Sequence, residues 1–435
     1  MNEFILDLND RNLTLWRGDQ ALLSSPGYCF RQADSYQFGE AAREQARLHP
    51  RSIQHRYWWQ LGLEPLQPAF GAARHSADLV HQHLLQLHEL GGKPDSLILA
   101  VPGSMHTEQL SLLLGIVSQC PFEVAGIVDR AIASAATVAL PDHGYLLELQ
   151  LHQSLITQLQ QVDGQLLRGT VTPIPGCGWL ALQDALANAI ADTFIRQTRF
   201  DPRRKATSEQ VLYDQLGSVL QQLGQHSEYN FELEGRQARL ERSALEASCQ
   251  PVIERITRAV PESCQRLLLD SVVASLPGSS STFGDAHICS AEQVVQGIRL
   301  HHELITGSGA DVHHITQLPA KTTAAMAATT AATAVTTAPP TAVATTTETV
   351  EPTNQVEVTA APPQLQPTTA TESGSFRLEY EAGTFTLHPG SGNLPTVNGH
   401  PLRAAMQLRA GDRVETVDGK RITIAAMETD DGPQT

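Results

Sequence analysis

Two glycine-containing turns, Pro175-Gly176-Cys177-Gly178-Trp179 and Pro277-Gly278-Ser279-Ser280-Ser281, each open toward a helix or a strand. Backbone N–H groups in such turns can host an anion or a nucleotide base, because no side chain blocks the approach. Gly103-Ser104-Met105 follows an apolar strand and precedes a helix with His106 close by, the place for a nucleophile. The full G-x-S-x-G of a nucleophile elbow is absent, so hydrolase chemistry is not expected. Histidines recur at His75, His81, His83 and His88 along one helical stretch, and as the pairs His301-His302 and His313-His314. A zinc site needs three or four ligands in fixed geometry. Adjacent histidines point to different helix faces, and no carboxylate or cysteine completes a set with His81 and His88, so these read as solvated helical histidines. Tyr57-Trp58-Trp59 is an aromatic cluster in an aromatic-poor chain, expected to pack in a core, or to form an interaction surface if exposed.

The elements that position these residues alternate in type. FILDLN and NLTLWRG read as an N-terminal hairpin, SLILAVPG as a buried strand, MHTEQLSLLLGIVSQC as an amphipathic helix, FEVAGIVDR as a strand and AIASAATVAL as a helix. GYLLELQLHQSLITQLQQVDGQLL reads as two strands closed by Asp163-Gly164. Three helices follow over residues 178–198, 208–223 and 242–260, then the strand RLLLDSVVASL. Strands alternating with helices imply an α/β architecture with covered sheets.

Near Leu318 the composition shifts to Ala, Thr, Pro and Val, as in KTTAAMAATTAATAVTTAPPTAVATTTETVEPT. A segment without large side chains cannot build a core, so residues 319–372 are expected to be a disordered linker. Residues 373–430 read as a small all-β domain of five or six strands, with turn signals at Ala382-Gly383, Asn398-Gly399 and Asp418-Gly419.

The whole chain has 435 residues, a formal charge of -16, 5% aromatic and 17% charged residues. Its length suits roughly two or three domains. The acidic surplus repels phosphate backbones, and the densest basic run, Arg199, Arg203, Arg204 and Lys205, is short, so nucleic-acid binding is not expected. No run reaches the roughly 18 apolar residues of a membrane span, and Met1-Asn2-Glu3-Phe4 starts no signal peptide. Six single cysteines without C-x-x-C spacing fit a reducing compartment. The expectation is a cytoplasmic protein without membrane insertion.

The order of elements over residues 1–310 resembles the actin and Hsp70 nucleotide-binding fold, whose two halves each begin with a hairpin carrying an acidic residue and glycines. Residues 96–136, SLILAVPGSMHTEQLSLLLGIVSQCPFEVAGIVDRAIASAA, are similar to the Hsp70 stretch from a strand ending V-P to N-E-P-T-A-A-A. FGEAAREQARLHPRSIQHRYWWQLG resembles that family's V-G-x-x-A-K-x-Q segment, and LERSALEASCQPVIERI its I-T-R-x-x-F-E-x-L. The resemblance implies a two-lobed α/β body over 1–318, with lobes of about 1–140 and 141–318. It also implies ATP or ADP with Mg as ligand and an ATPase if active, with Asp7 and Glu148 in the catalytic positions and Asp7 holding the Mg. Asp7, Asn9, Glu148, Gly176, Gly178, Gly278, Ser279 and Ser280 fall at its nucleotide-binding positions.

The phosphate loops depart from the pattern. D-L-G-T-T is replaced by Asp7-Leu8-Asn9-Asp10-Arg11, and D-L-G-G-G-T-F-D by Glu148-Leu149-Gln150-Leu151-His152-Gln153-Ser154-Leu155, without a glycine. The catalytic lysine falls on Trp58 and the arginine after it on Trp59. The glutamate of N-E-P-T falls on Arg130, a reversal of sign. Phosphoryl transfer needs a metal, a positioned water and cationic stabilisation, and too few of those parts remain. Farther on, Ser391-Gly392-Asn393-Leu394-Pro395-Thr396-Val397-Asn398-Gly399 and Leu408-Arg409-Ala410-Gly411-Asp412-Arg413-Val414 resemble FHA-domain motifs, but the N-G-T core is missing. The expectation is a protein-interaction scaffold or regulatory pseudo-ATPase with protein partners of unknown identity. The alternative is a chaperone-like ATPase.

Overall fold

The computed structural model describes residues 3–33, 35–307 and 312–321 and short strands between Thr371 and Thr423. By contacts the chain divides into Met1–Val335 and Thr336–Thr435. The first unit is mixed α/β, built on two six-stranded sheets.

In the first sheet Phe4–Asp7, Leu13–Arg17 and Gln20–Ser25 form an antiparallel meander. Ser96–Val101 then runs parallel to Phe4–Asp7, and Glu123–Asp129 parallel to Ser96–Val101. The second sheet repeats this order. His143–Leu149, Gln153–Val162 and Gln165–Pro175 form the meander, followed by the parallel strands Arg266–Asp270 and His287–Cys289. One segment stitches both sheets: His314–Ile315 adds to Glu123–Asp129, and Gln317–Pro319 adds to Gln165–Pro175. The first unit therefore includes Pro319, one residue past the boundary expected at 318.

Strand periodicity explains the layers. In Ser96–Val101 the side chains of Ile98 and Ala100 face one core, while Leu97, Leu99 and Val101 face another. Both faces are covered, which is why SLILAV is an unbroken apolar run. Each such buried Leu or Ile stabilises by about 1.5–3 kcal/mol. The first outer core packs under Ser76–Leu90 and Thr107–Val117. The second packs under Trp179–Thr198, Ala206–Gln225 and Arg242–Ala259. A central core joins the two sheets and takes in the helix Arg130–Ala135 and one face of the helix Ala291–Leu300. Gly297 allows that approach, since a Cβ there would lie 1.8 Å from the Ala133 carbonyl oxygen.

Four local expectations are corrected. The segment 144–167 contains two reversals rather than one, since Asp163-Gly164 closes the second and third strands, with positive φ at both residues. The earlier reversal at Gln150–Gln153 carries no turn signal, because tertiary hydrogen bonds shape it. RLLLDSVVASL is a strand only to Asp270, whose carboxylate accepts from Val272 N–H and caps the helix Ser271–Ala274. The helix read over AIASAATVAL is short, Arg130–Ala135, started by the Asp129 cap. Finally, His83 and His88 are buried rather than solvated.

In the second unit the described strands are all antiparallel. One sheet is ordered Thr371–Ser373, Phe376–Glu381, Thr384–Pro389, Met406–Leu408. The other is ordered His400–Pro401, Thr396–Val397, Arg413–Glu415, Arg421–Thr423. Strand pairing across residues 382–383, 398–399 and 416–420 agrees with the three turn signals, and eight short strands stand where five or six were expected. Of the expected linker, residues 322–370 lie outside the described residues.

Candidate functional site

Three parallel strands of the first unit end in a carboxylate, in FILD, GIVD and LLLD, and a fourth nearly does, in YLLEL. Asp7, Asp129, Asp270 and Glu148 thus collect at the carboxyl ends of the strands, where open α/β sheets bind their ligands. All four are buried.

Arg130 lies among them as the first residue of its helix and is only 6% exposed. Its Nε donates to Asp7 Oδ1 at 2.7 Å and its Nη1 to Glu148 Oε1 at 2.5 Å, while Nη2 lies 3.7 Å from Asp270 Oδ2. One guanidinium therefore joins Asp7 of the first sheet to Glu148 and Asp270 of the second. Asp129 has a separate partner, Arg168, at 3.0 Å, and caps the helix through the N–H groups of Ala131 and Ile132. Arg11 adds positive charge near Asp270, Asp7 and Asp10. Burial raises the proton affinity of Asp7 and Asp129, and pushes Glu148 up to about 7 against the pull of Arg130. The three surrounding carboxylates hold the Arg130 guanidinium charged despite its burial.

The loops after Asp7 and Glu148 close on one another. Asn9 Nδ2 donates to the Leu149 carbonyl at 3.1 Å, and Asp10 Oδ1 accepts the Leu151 N–H at 2.8 Å. Burial pushes the Asp10 carboxyl up to about 6. The helix Trp179–Thr198 starts against the same loop: Trp179 N–H donates to Gln150 O and Leu180 N–H to Leu151 O. Gly178 serves this contact, because a Cβ on it would lie 2.3 Å from Gln153 N. Gly176, with φ of 70°, donates its N–H to His152 O. Of the amides expected to hold an anion, those of Gly176, Cys177 and Trp179 are thus spent on protein carbonyls.

The remaining expected residues stand apart from the Arg130 cluster. Gly278 packs near Ile253 and Glu246, and opens the single turn Ser279–Thr282. Ser279 is buried with a hydroxyl that has no hydrogen-bond partner among the described residues, while Ser280 is exposed. Asp7, Asn9 and Glu148 are brought together, whereas Gly278, Ser279 and Ser280 do not join them.

A cavity of about 100 Å³ lies beside the closed loops, lined by Leu8, Asp10, Trp58, Trp59, Ser104 and Gln150 among others. Ligand pockets for small molecules typically measure about 300–1,000 Å³, so this cavity is far too small for a nucleotide. Tyr57 and Trp58 are core residues. The Tyr57 hydroxyl lies 2.8 Å from His83 Nδ1, and Trp58 Nε1–H donates to the same nitrogen at 3.1 Å, which assigns the His83 proton to Nε2, 2.8 Å from Ser25 Oγ. Burial lowers the His83 pKa to about 3, so it stays neutral. Trp59 is half-buried and stacks on His152 at 4.8 Å. Ser104 bonds to the Gln150 amide rather than to a base.

The residues fit Mg-nucleotide poorly. An internal cation already occupies the space between Asp7 and Glu148, and the amides of Gly176, Cys177 and Trp179 already have acceptors. Sequence reasoning registered the sign reversal at Arg130 but missed its contacts, and it gave no role to Asp129 or Asp270. The signal was the repeated apolar-run-plus-acid ending of FILD, GIVD and LLLD. No helix of the described residues is long and apolar enough to cross a membrane, and no group of three or more His, Cys, Asp or Glu among them is arranged to hold a metal ion. No protein-family model and no curated protein sequence matches this chain.

Proposed function

We propose that this chain is a divergent protein of the actin/Hsp70 type that has exchanged its nucleotide for an internal ion-pair cluster and acts as a protein-interaction scaffold or regulatory pseudo-ATPase. The observation that carries this reading is Arg130, buried across Asp7, Glu148 and Asp270. The repeated strand order of the two sheets supports the fold assignment. The spent amides of Leu151, Trp179 and Leu180 support the loss of phosphate binding. A guanidinium fixed by covalent attachment needs no exogenous ligand to neutralise the strand-end carboxylates, so the body is held in one state without turnover. The second unit is the FHA-like β module of this reading and supplies a further protein contact.

Thermal unfolding of the full chain with and without millimolar Mg-ATP or Mg-ADP tests the reading. A ligand at a hundred times its dissociation constant would add about 2.7 kcal/mol of stability, and no shift is expected. A clear nucleotide-dependent shift that vanishes in Asp7→Ala would overturn the pseudo-ATPase and leave the ATPase alternative. Deleting residues 373–435 is expected to cost partner capture, and partners all retained without them would remove that role.

A further inference from the structure

We propose that Glu148 and Arg130 form a proton-operated latch between the two sheets, closed while the carboxylate cluster holds a proton and loosened when that proton leaves at alkaline pH. The basis is a charge count in a buried space. Asp7, Asp10, Glu148 and Asp270 bring four carboxylates, against the two guanidiniums of Arg130 and Arg11. The remaining pair, Asp129 with Arg168, is balanced on its own. Beyond these groups, the Cys289 thiol lies near the cluster from the strand His287–Cys289, and burial keeps it protonated. With everything ionised the cluster carries excess negative charge out of water, which is costly, and a bound proton relieves it.

Glu148 is the group placed to carry the proton. Its side chain is 1% exposed, Oε1 is engaged by Arg130, and Oε2 is buried without any hydrogen-bond partner among the described residues. Asp7, by contrast, accepts from Arg130 Nε at 2.7 Å and has no oxygen among the buried atoms without a partner, and Asp10 accepts the Leu151 N–H at 2.8 Å. Burial, the first cause, together with the charges of Asp129 and Asp270, pushes Glu148 up to about 7. The folded chain then binds the proton more tightly than the unfolded chain, whose glutamate titrates near 4.5. Stability from this group is therefore full below 4.5 and is lost as the pH rises through about 7. Between pH 5.5 and pH 8, titration from 4.5 to about 7 weakens the folding equilibrium by about 30-fold. Glu148 and its partner strand are in the second sheet and Arg130 is attached to the first, so the loss falls on the junction between them.

The test uses the full chain without nucleotide, so that its failure and that of the pseudo-ATPase reading are distinguishable. Hydrogen exchange corrected for intrinsic rates is followed at pH 5.5 and pH 8 over residues 4–12 and 143–153, alongside denaturant unfolding. The wild type should open more at pH 8, and Glu148→Gln, a mimic of the protonated acid, should lose most of that pH dependence. An E148Q chain that keeps the wild-type pH dependence would overturn the latch. If E148Q does not fold, infrared spectroscopy of the wild type decides instead. A protonated buried carboxyl band present at pH 6 and gone by pH 8.5 supports the latch, and its absence at pH 6 overturns it.

Discussion

Replacing Arg130 by Met keeps a long side chain in the central core and removes only the charge. Three carboxylates within 4 Å of the guanidinium then face one another without their cation. Removing one partner of a buried ion pair costs about 3–5 kcal/mol, because the charge left behind is neither hydrated nor paired. Against a total stability of about 5–15 kcal/mol, the variant should be marginal at pH 8. The loss should shrink at pH 5.5. Without the cation the carboxyls bind protons more tightly in the folded chain than in the unfolded one, so acid restores stability and alkali removes it. Urea unfolding read by tryptophan fluorescence measures this, since Trp16 and Trp58 are buried in the cores concerned. Combining Arg130→Met with Asp7→Asn and Glu148→Gln should recover most of the loss, as neutral groups often replace a buried ion network at little cost. A loss under about 1 kcal/mol at pH 8, or an equal loss at both pH values, would refute the view that Arg130 is the structural counter-ion.

Two other perturbations test the closure of the loops. Gly178→Ala places a Cβ against Gln153 N and the His152 carbonyl carbon; because both are backbone, the loop must shift, and denaturant unfolding should show about 1–3 kcal/mol of destabilisation. At the outer edge of the same junction, Arg47 pairs with Asp184 at 3.0 Å and lies 3.6 Å over the Tyr213 ring. Arg47→Ala should cost about 1–2 kcal/mol at low salt and less in molar salt, because the ion-pair part is screened while the stacking part is not.

Much of the fold could be read from residue patterns alone. Apolar runs such as SLILAV announce strands covered on both faces, and Asp163-Gly164 announces a reversal through its two positive φ angles. The reversal at Gln150–Gln153 could not be read in this way, since it depends on Asp10 and on the start of the helix Trp179–Thr198. His83 likewise lies in a histidine-rich helix, Ser76–Leu90, whose spacing alone read as a solvated face. Its burial depends on Ser25, Tyr57 and Trp58, which arrive from other parts of the chain.

The sequence by itself determined the alternation of strands and helices, the change of composition near Leu318, and the lack of glycine over residues 7–11 and 148–155, because these are local properties of residue type and spacing. Only the tertiary structure decided what Arg130 does. Its partners are 123, 18 and 140 positions away in the chain, at Asp7, Glu148 and Asp270. An arginine in a buried position is an electrostatic liability or a counter-ion according to what packs around it, and here two sheets bring three acids to the same guanidinium.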